Sequence, residues 1–223
     1  GTDTDSTTLV GYEAGRYATG SYNTFIGESA GKGGTTSAPY SSGEQNTAVG
    51  YQALAAFTTA NYNAAFGMQA LRVATTGNSN TALGTYSLYD LNTGTQNVSV
   101  GLSSGENITD GNNNVLVGYR AGYTATSPDG SVGIGYRALY NNTANYSVAI
   151  GYDAGFAITS GTGNVFVGAF TGDSITTGDS NTALGYAALS AEDTGTRNVA
   201  IGNEALKVLN YDGAGYNVAV GHR

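Results

Sequence analysis

Thirteen glycines, Gly11, Gly27, Gly50, Gly67, Gly84, Gly101, Gly118, Gly135, Gly151, Gly168, Gly185, Gly202 and Gly221, recur along the chain, most of them 17 residues apart. A repeat this short is one supersecondary unit that cannot bury its apolar face alone, so the copies must stack on one another. Two intervals are longer, 23 residues after Gly27 and 19 after Gly202. They read as loop insertions at 32–45 and 207–216 within a single repeat domain spanning 1–223.

Alignment on the glycine turns each position into a column with its own chemistry. The residue before it is apolar in every copy, from Val10 and Ile26 to Ile201 and Val220, and the residue two further back is Thr or Val except at Ala64. A spacing of two places both columns on one strand face, and that face is expected to be the buried one. Three residues after the glycine stands Ala, Ser or Thr throughout, as at Ala14, Ala53 and Ala188. Small side chains in every layer predict the close approach of another backbone. The next column holds Gly, as at Gly15, Gly31 and Gly172, or Leu, as at Leu54, Leu71 and Leu189; leucine there fills space that glycine leaves to a neighbour.

Four residues before the anchor, asparagine stands in ten copies, among them Asn46, Asn63, Asn80, Asn97, Asn114, Asn181 and Asn198. Asparagine tolerates left-handed backbone and hydrogen-bonds its own chain, which suits a corner, and stacked in every layer it would form a ladder. Thr76-Gly77, Thr93-Gly94, Thr177-Gly178 and Thr194-Gly195 mark a second turn. Each repeat is therefore predicted to be two short strands and two turns, one coil of an all-β parallel solenoid whose layers stack at ~4.8 Å into a rod of roughly 60 Å. A helical reading fails because the glycines would each cost about 1 kcal/mol relative to alanine and no 3.6-residue period is present.

The remaining composition narrows function mainly by exclusion. Cysteine is absent and histidine occurs once, at His222, so no thiolate metal site, catalytic cluster or cofactor is expected. The net charge of −8 is scattered, which argues against nucleic acid as a partner. No apolar run long enough for membrane insertion is present. The segment Asp110-Gly111-Asn112-Asn113-Asn114 offers oxygen ligands but reads as a turn, and Gly133-Ile134-Gly135 lacks the βαβ setting of a dinucleotide site. What remains is surface. Tyr51, Tyr119, Tyr136 and Tyr152 follow the anchor glycine and Tyr40 lies in the first insertion, together a candidate binding surface of amphipathic rings. The insertion itself is the candidate recognition loop, since insertions in solenoids project from one face.

The motifs Ser147-Val148-Ala149-Ile150-Gly151, Asn198-Val199-Ala200-Ile201-Gly202 and Asn217-Val218-Ala219-Val220-Gly221 resemble the head repeats of YadA-type trimeric autotransporter adhesins. The longer form, Asn46-Thr47-Ala48-Val49-Gly50-Tyr51-Gln52-Ala53-Leu54, is similar to repeats of phage tail fibres and bacterial tail-fibre-domain proteins. The resemblance spans essentially the whole chain, with a longer repeat than that of the adhesins. It implies a left-handed β-roll, a side-by-side homotrimer, an extracellular place on a cell surface or virion, and adhesion to a glycan or protein receptor. Packing three thin rolls together would bury the small-residue columns between chains. From the residues alone, the alternative is a monomeric solenoid that buries those columns internally and binds ice or matrix, against which the variable offset of the second-turn threonines counts.

Overall fold

The structure, a computed structural model, describes residues 6–34, 41–209 and 214–222. Among these residues the regular structure is all strand: β1 (Thr8–Val10), β2 (Thr24–Ile26), β3 (Thr47–Val49), β4 (Ala64–Phe66), β5 (Thr81–Leu83), β6 (Val98–Val100), β7 (Val115–Val117), β8 (Val132–Ile134), β9 (Val148–Ile150), β10 (Val165–Val167), β11 (Thr182–Leu184), β12 (Val199–Ile201) and β13 (Val218–Val220). There is one strand per repeat, and each ends on the residue before an anchor glycine. The chain is thus a parallel β-solenoid, in two compact units, Gly1–Asn113 and Asn114–Arg223.

In the first unit β1 to β6 pair in chain order, with equivalent residues of successive repeats directly opposite, as in Thr47↔Ala64 and Val49↔Phe66. In the second, β7 to β13 pair the same way, as in Val165↔Thr182 and Val167↔Leu184. The missing residue of the short repeat between Gly135 and Gly151 falls outside the strands, so Ile134 still faces Ile150.

The strand face is oriented opposite to the expectation. Strand side chains alternate, and it is the middle residue that points inward: Phe25, Ala48, Ala65, Ala82 and Ser99 in the first unit, and Ala149, Phe166, Ala183 and Ala200 in the second, are fully buried. The Thr/Val and Val/Ile/Leu columns flank it and face out. The small residues three after the glycine are also buried inside their own coil, with Ala53, Ala70, Ala138 and Ala188 at 0% exposure, and not between chains.

Interior volume is balanced within most layers. In most layers a large middle residue faces glycine in the Gly/Leu column and a small one faces leucine; Ser99 with Gly105 and Ala149 with Gly155 are the two layers where both are small. At Gly31 an added Cβ would lie 2.4 Å from the Phe25 ring, and at Gly172 it would lie 2.7 Å from that of Phe166. By contrast Leu54, Leu71, Leu88 and Leu189 are fully buried in layers whose middle residue is Ala48, Ala65, Ala82 and Ala183. A third inward position, seven after the glycine, completes the filling with Phe57, Leu91, Ile108, Ile158 and Ile175. Two copies carry polar groups there, and both close a turn. Glu192 Oε1 accepts from the Gly195 N–H at 2.8 Å, and Asn142 donates to the Ala144 carbonyl at 3.0 Å.

The predicted second strand is not formed. After each anchor glycine, positive φ returns at every second residue, as at Gln52 (φ 54) and Leu54 (φ 51), or Arg137 (φ 50) and Leu139 (φ 53). Such a backbone cannot be pleated strand. It still bonds from layer to layer, as in Gln69 N–H to Tyr51 O at 2.8 Å and Leu54 N–H to Ala70 O at 2.9 Å. The left-handed residue at the other corner is also not the column asparagine but the residue before it, Tyr62 (φ 59), Gln96 (φ 60) or Arg197 (φ 60).

Candidate functional site

Most of the sequence-nominated residues hold the coil together. Gly50, Gly67, Gly84, Gly101, Gly118 and Gly185 have φ between +133 and +140, a region open in practice to glycine alone. They also stack: a Cβ on Gly84 would sit 2.4 Å from the Gly101 carbonyl oxygen. The asparagines form a buried ladder. The Oδ1 of Asn63 accepts the backbone N–H of Asn80 at 2.9 Å and its Nδ2 at 3.2 Å, while Asn80 Nδ2 also donates to Gly94 O at 2.9 Å. Asn46 and Asn97 repeat this in the first unit and Asn181 and Asn198 in the second. Asn114 donates to Pro128 O at 2.7 Å and accepts from the Ser131 N–H at 3.0 Å. In the Asp110–Asn114 run, Asn112 Oδ1 takes the Thr95 N–H at 2.9 Å, as a turn requires.

The candidate tyrosines separate into three settings. Tyr119, Tyr136 and Tyr152 stack in successive layers of the second unit, with ring centroids 5.2 and 4.7 Å apart, and Phe170 and Tyr186 extend the column. A second column, Tyr123, Tyr140 and Phe156, runs beside it. Arg120 lies near both Tyr119 and Tyr123, and Arg137 near both Tyr136 and Phe156, each within 5.2 Å of the ring centres. Arg137 is further fixed by a two-pronged ion pair to Asp153, Nε to Oδ1 at 2.8 Å and Nη2 to Oδ2 at 2.5 Å, which raises its pKa. Among Tyr119, Tyr136 and Tyr152 the facing ring surfaces are covered by one another, whereas Phe170 and Tyr186 meet the column tilted and edge-on. Tyr51, in the first unit, is exposed. Tyr40 lies outside the described residues.

Two features were not nominated from sequence. The first is the outward strand face, a row of aliphatic side chains one layer apart. In the first unit Ile26, Phe66 and Leu83 are exposed along it, and in the second Ile134, Ile150 and Leu184, with values from 36 to 49%. The second is a groove of about 470 Å³ at the foot of the first insertion. In several other copies one of the positions five and six after the glycine carries an aromatic ring, as at Tyr17, Tyr89, Tyr123 and Tyr140. Here they fall to Gly33, Ala55 and Ala56, which line the depression. The insertion is closed beside it by buried Ser41, whose Oγ accepts the Gly34 N–H at 2.9 Å and donates to Phe57 O at 2.6 Å.

Among the described residues no three His, Cys, Asp or Glu side chains are grouped to hold a metal ion. No protein-family model and no curated protein matches the chain.

Proposed function

We propose that this chain is a structural and adhesive segment of an extracellular fibre, on a virion or a cell surface, in which three copies associate side by side. The observation that carries the reading is the aliphatic strand face. Each coil already has a complete interior, yet Val, Ile, Leu and Phe are kept on the outside of the strand in every layer. Ordered apolar rows of this kind mark association surfaces, and one strand face exposed in this way suits side-by-side association around a rotation axis. The resemblance of the repeats to trimeric adhesin heads and tail fibres points the same way and suggests left-handed rolls. Adhesion then works by presenting the same turns many times, so that weak contacts to a receptor add. No catalytic step is part of this function.

The alternative of a lone ice- or matrix-binding solenoid would need a free, regular hydroxyl array. The threonines at the second turn donate to the next layer instead, Thr58 to Thr75 O at 2.9 Å and Thr159 to Thr176 O at 3.1 Å. Light scattering with native mass spectrometry tests the assembly. Three times the 22.5 kDa chain mass is expected, and a monomer at micromolar concentration would overturn the trimer.

A further inference from the structure

We infer that the groove at the foot of the first insertion binds an acidic saccharide, a sugar unit carrying a carboxylate. This deepens the adhesive reading by naming a ligand class, and rests on that reading for its biological sense.

The argument begins with charge. The chain has 16 acidic and 8 basic residues, yet the groove is lined by two of those bases, Lys32 and Arg72, and by no carboxylate. Both cations are held in place from outside it. Lys32 Nζ lies 2.5 Å from Glu13 Oε2, and Arg72 Nη1 donates to the Tyr89 hydroxyl at 2.7 Å. Between them stands Gln52. Its Oε1 accepts from Arg72 Nε at 3.2 Å and from Gln69 Nε2 at 2.7 Å. Arginine can only donate, so the oxygen of Gln52 must face Arg72 and its amide nitrogen is turned away as a further donor. The lining is therefore rich in donors, and the charged groups that line it are both cations, Lys32 paired to Glu13 behind it and Arg72 with Asp90 nearby.

The rest of the surface suits a sugar. Ala55, Ala56 and Val73 give an apolar floor, and Thr58 and Thr75 supply hydroxyl oxygens at the margin. A volume of about 470 Å³ lies within the range of small-ligand sites. Arg72 and Lys32 would engage the carboxylate, as arginine and lysine do in charge-assisted hydrogen bonds, while ring hydroxyls meet Gln52 and the threonines. No strand residue takes part, so the groove and the aliphatic strand face are separate surfaces.

The test is titration of the full chain with glucuronic acid and N-acetylneuraminic acid, and with glucose and N-acetylglucosamine as uncharged counterparts, by calorimetry and saturation-transfer NMR. The acids should bind with Kd of about 1 mM or tighter, at least tenfold better than the uncharged sugars. Lys32→Gln and Arg72→Gln should each weaken binding at least tenfold. Ala55→Tyr should abolish it by filling the groove; this column carries tyrosine at Tyr89, Tyr123 and Tyr140, so the coil accommodates the ring. Equal binding of the uncharged sugars, unchanged binding by Ala55→Tyr, or no binding of either acid overturns the proposal. The mass of the assembly decides the fibre reading independently, so either can fail alone.

Discussion

A single asparagine in this fold serves three layers. Asn80 donates twice to Asn63 and once to Gly94, and its own Oδ1 accepts two hydrogen bonds from Asn97. Asn80→Ala would leave the Asn97 N–H and the Gly94 carbonyl without these partners in a buried setting, at about 1–3 kcal/mol each. A loss of roughly 3–5 kcal/mol in denaturant unfolding is expected; a change under about 1 kcal/mol would mean that the ladder is decorative. Asp173 gives a second test at this scale. Burial pushes its carboxyl up to about 6 from an ordinary 3.8, with the nearby Asp153 charge acting in the same direction. Burial also raises Asp90, against the opposing pull of Arg72. Between pH 4 and 6 the folded chain retains a proton at Asp173 that the unfolded chain has released, so stability falls as pH rises through that window. The melting temperature should therefore rise on acidification from pH 7 to pH 5, and Asp173→Asn should rise less. Parallel pH profiles for the two proteins would refute the assignment.

At the scale of the coil, the sequence was most informative about period and least about direction. The glycine spacing located every strand and the asparagine column located one corner, because both demands recur identically in each layer. The strand face was read inside out because an unbroken apolar column resembles a core, whereas the residue between, Phe25, Ala48, Ser99 or Gly133, varies widely in size. That variation carries the signal, since Phe25 goes with Gly31 and Ala65 with Leu71. The second strand was overcalled because Glu13, Gln52 and Arg120 are not residue types that announce positive φ. Of the candidate groove, only the run of small residues was visible, and the turning of Gln52 by Arg72 depends on geometry. The volume pairing makes a prediction. Phe166→Ala should cost about 3–5 kcal/mol, and Gly172→Leu alone should clash with the ring, whose atoms lie 2.7 Å from an added Cβ. The double substitution recreates the Ala183 and Leu189 pair of the next layer and should recover most of the loss. A double-mutant cycle with coupling below about 0.5 kcal/mol would sink the idea.

For the whole molecule the decisive surface is the one left uncovered. Fully burying a Val, Leu or Ile side chain contributes about 1.5–3 kcal/mol, and Leu184 at 46% exposure forgoes much of that in the isolated chain. Three copies meeting along this face would recover it in every layer. Leu184→Asp separates the two cases. On a free surface the change should alter stability by about 0.5 kcal/mol or less, whereas around a three-fold axis it brings three carboxylates together in an apolar setting, at several kcal/mol per buried ion. The expected outcome is a variant whose mass by light scattering falls to one chain, or to a concentration-dependent mixture, with the strand signature in circular dichroism retained. Its melting temperature should then no longer rise with protein concentration, as that of the parent is expected to do if it is a trimer. A variant that keeps both the parent's mass and its melting temperature would leave the aliphatic row as plain solvent-facing surface.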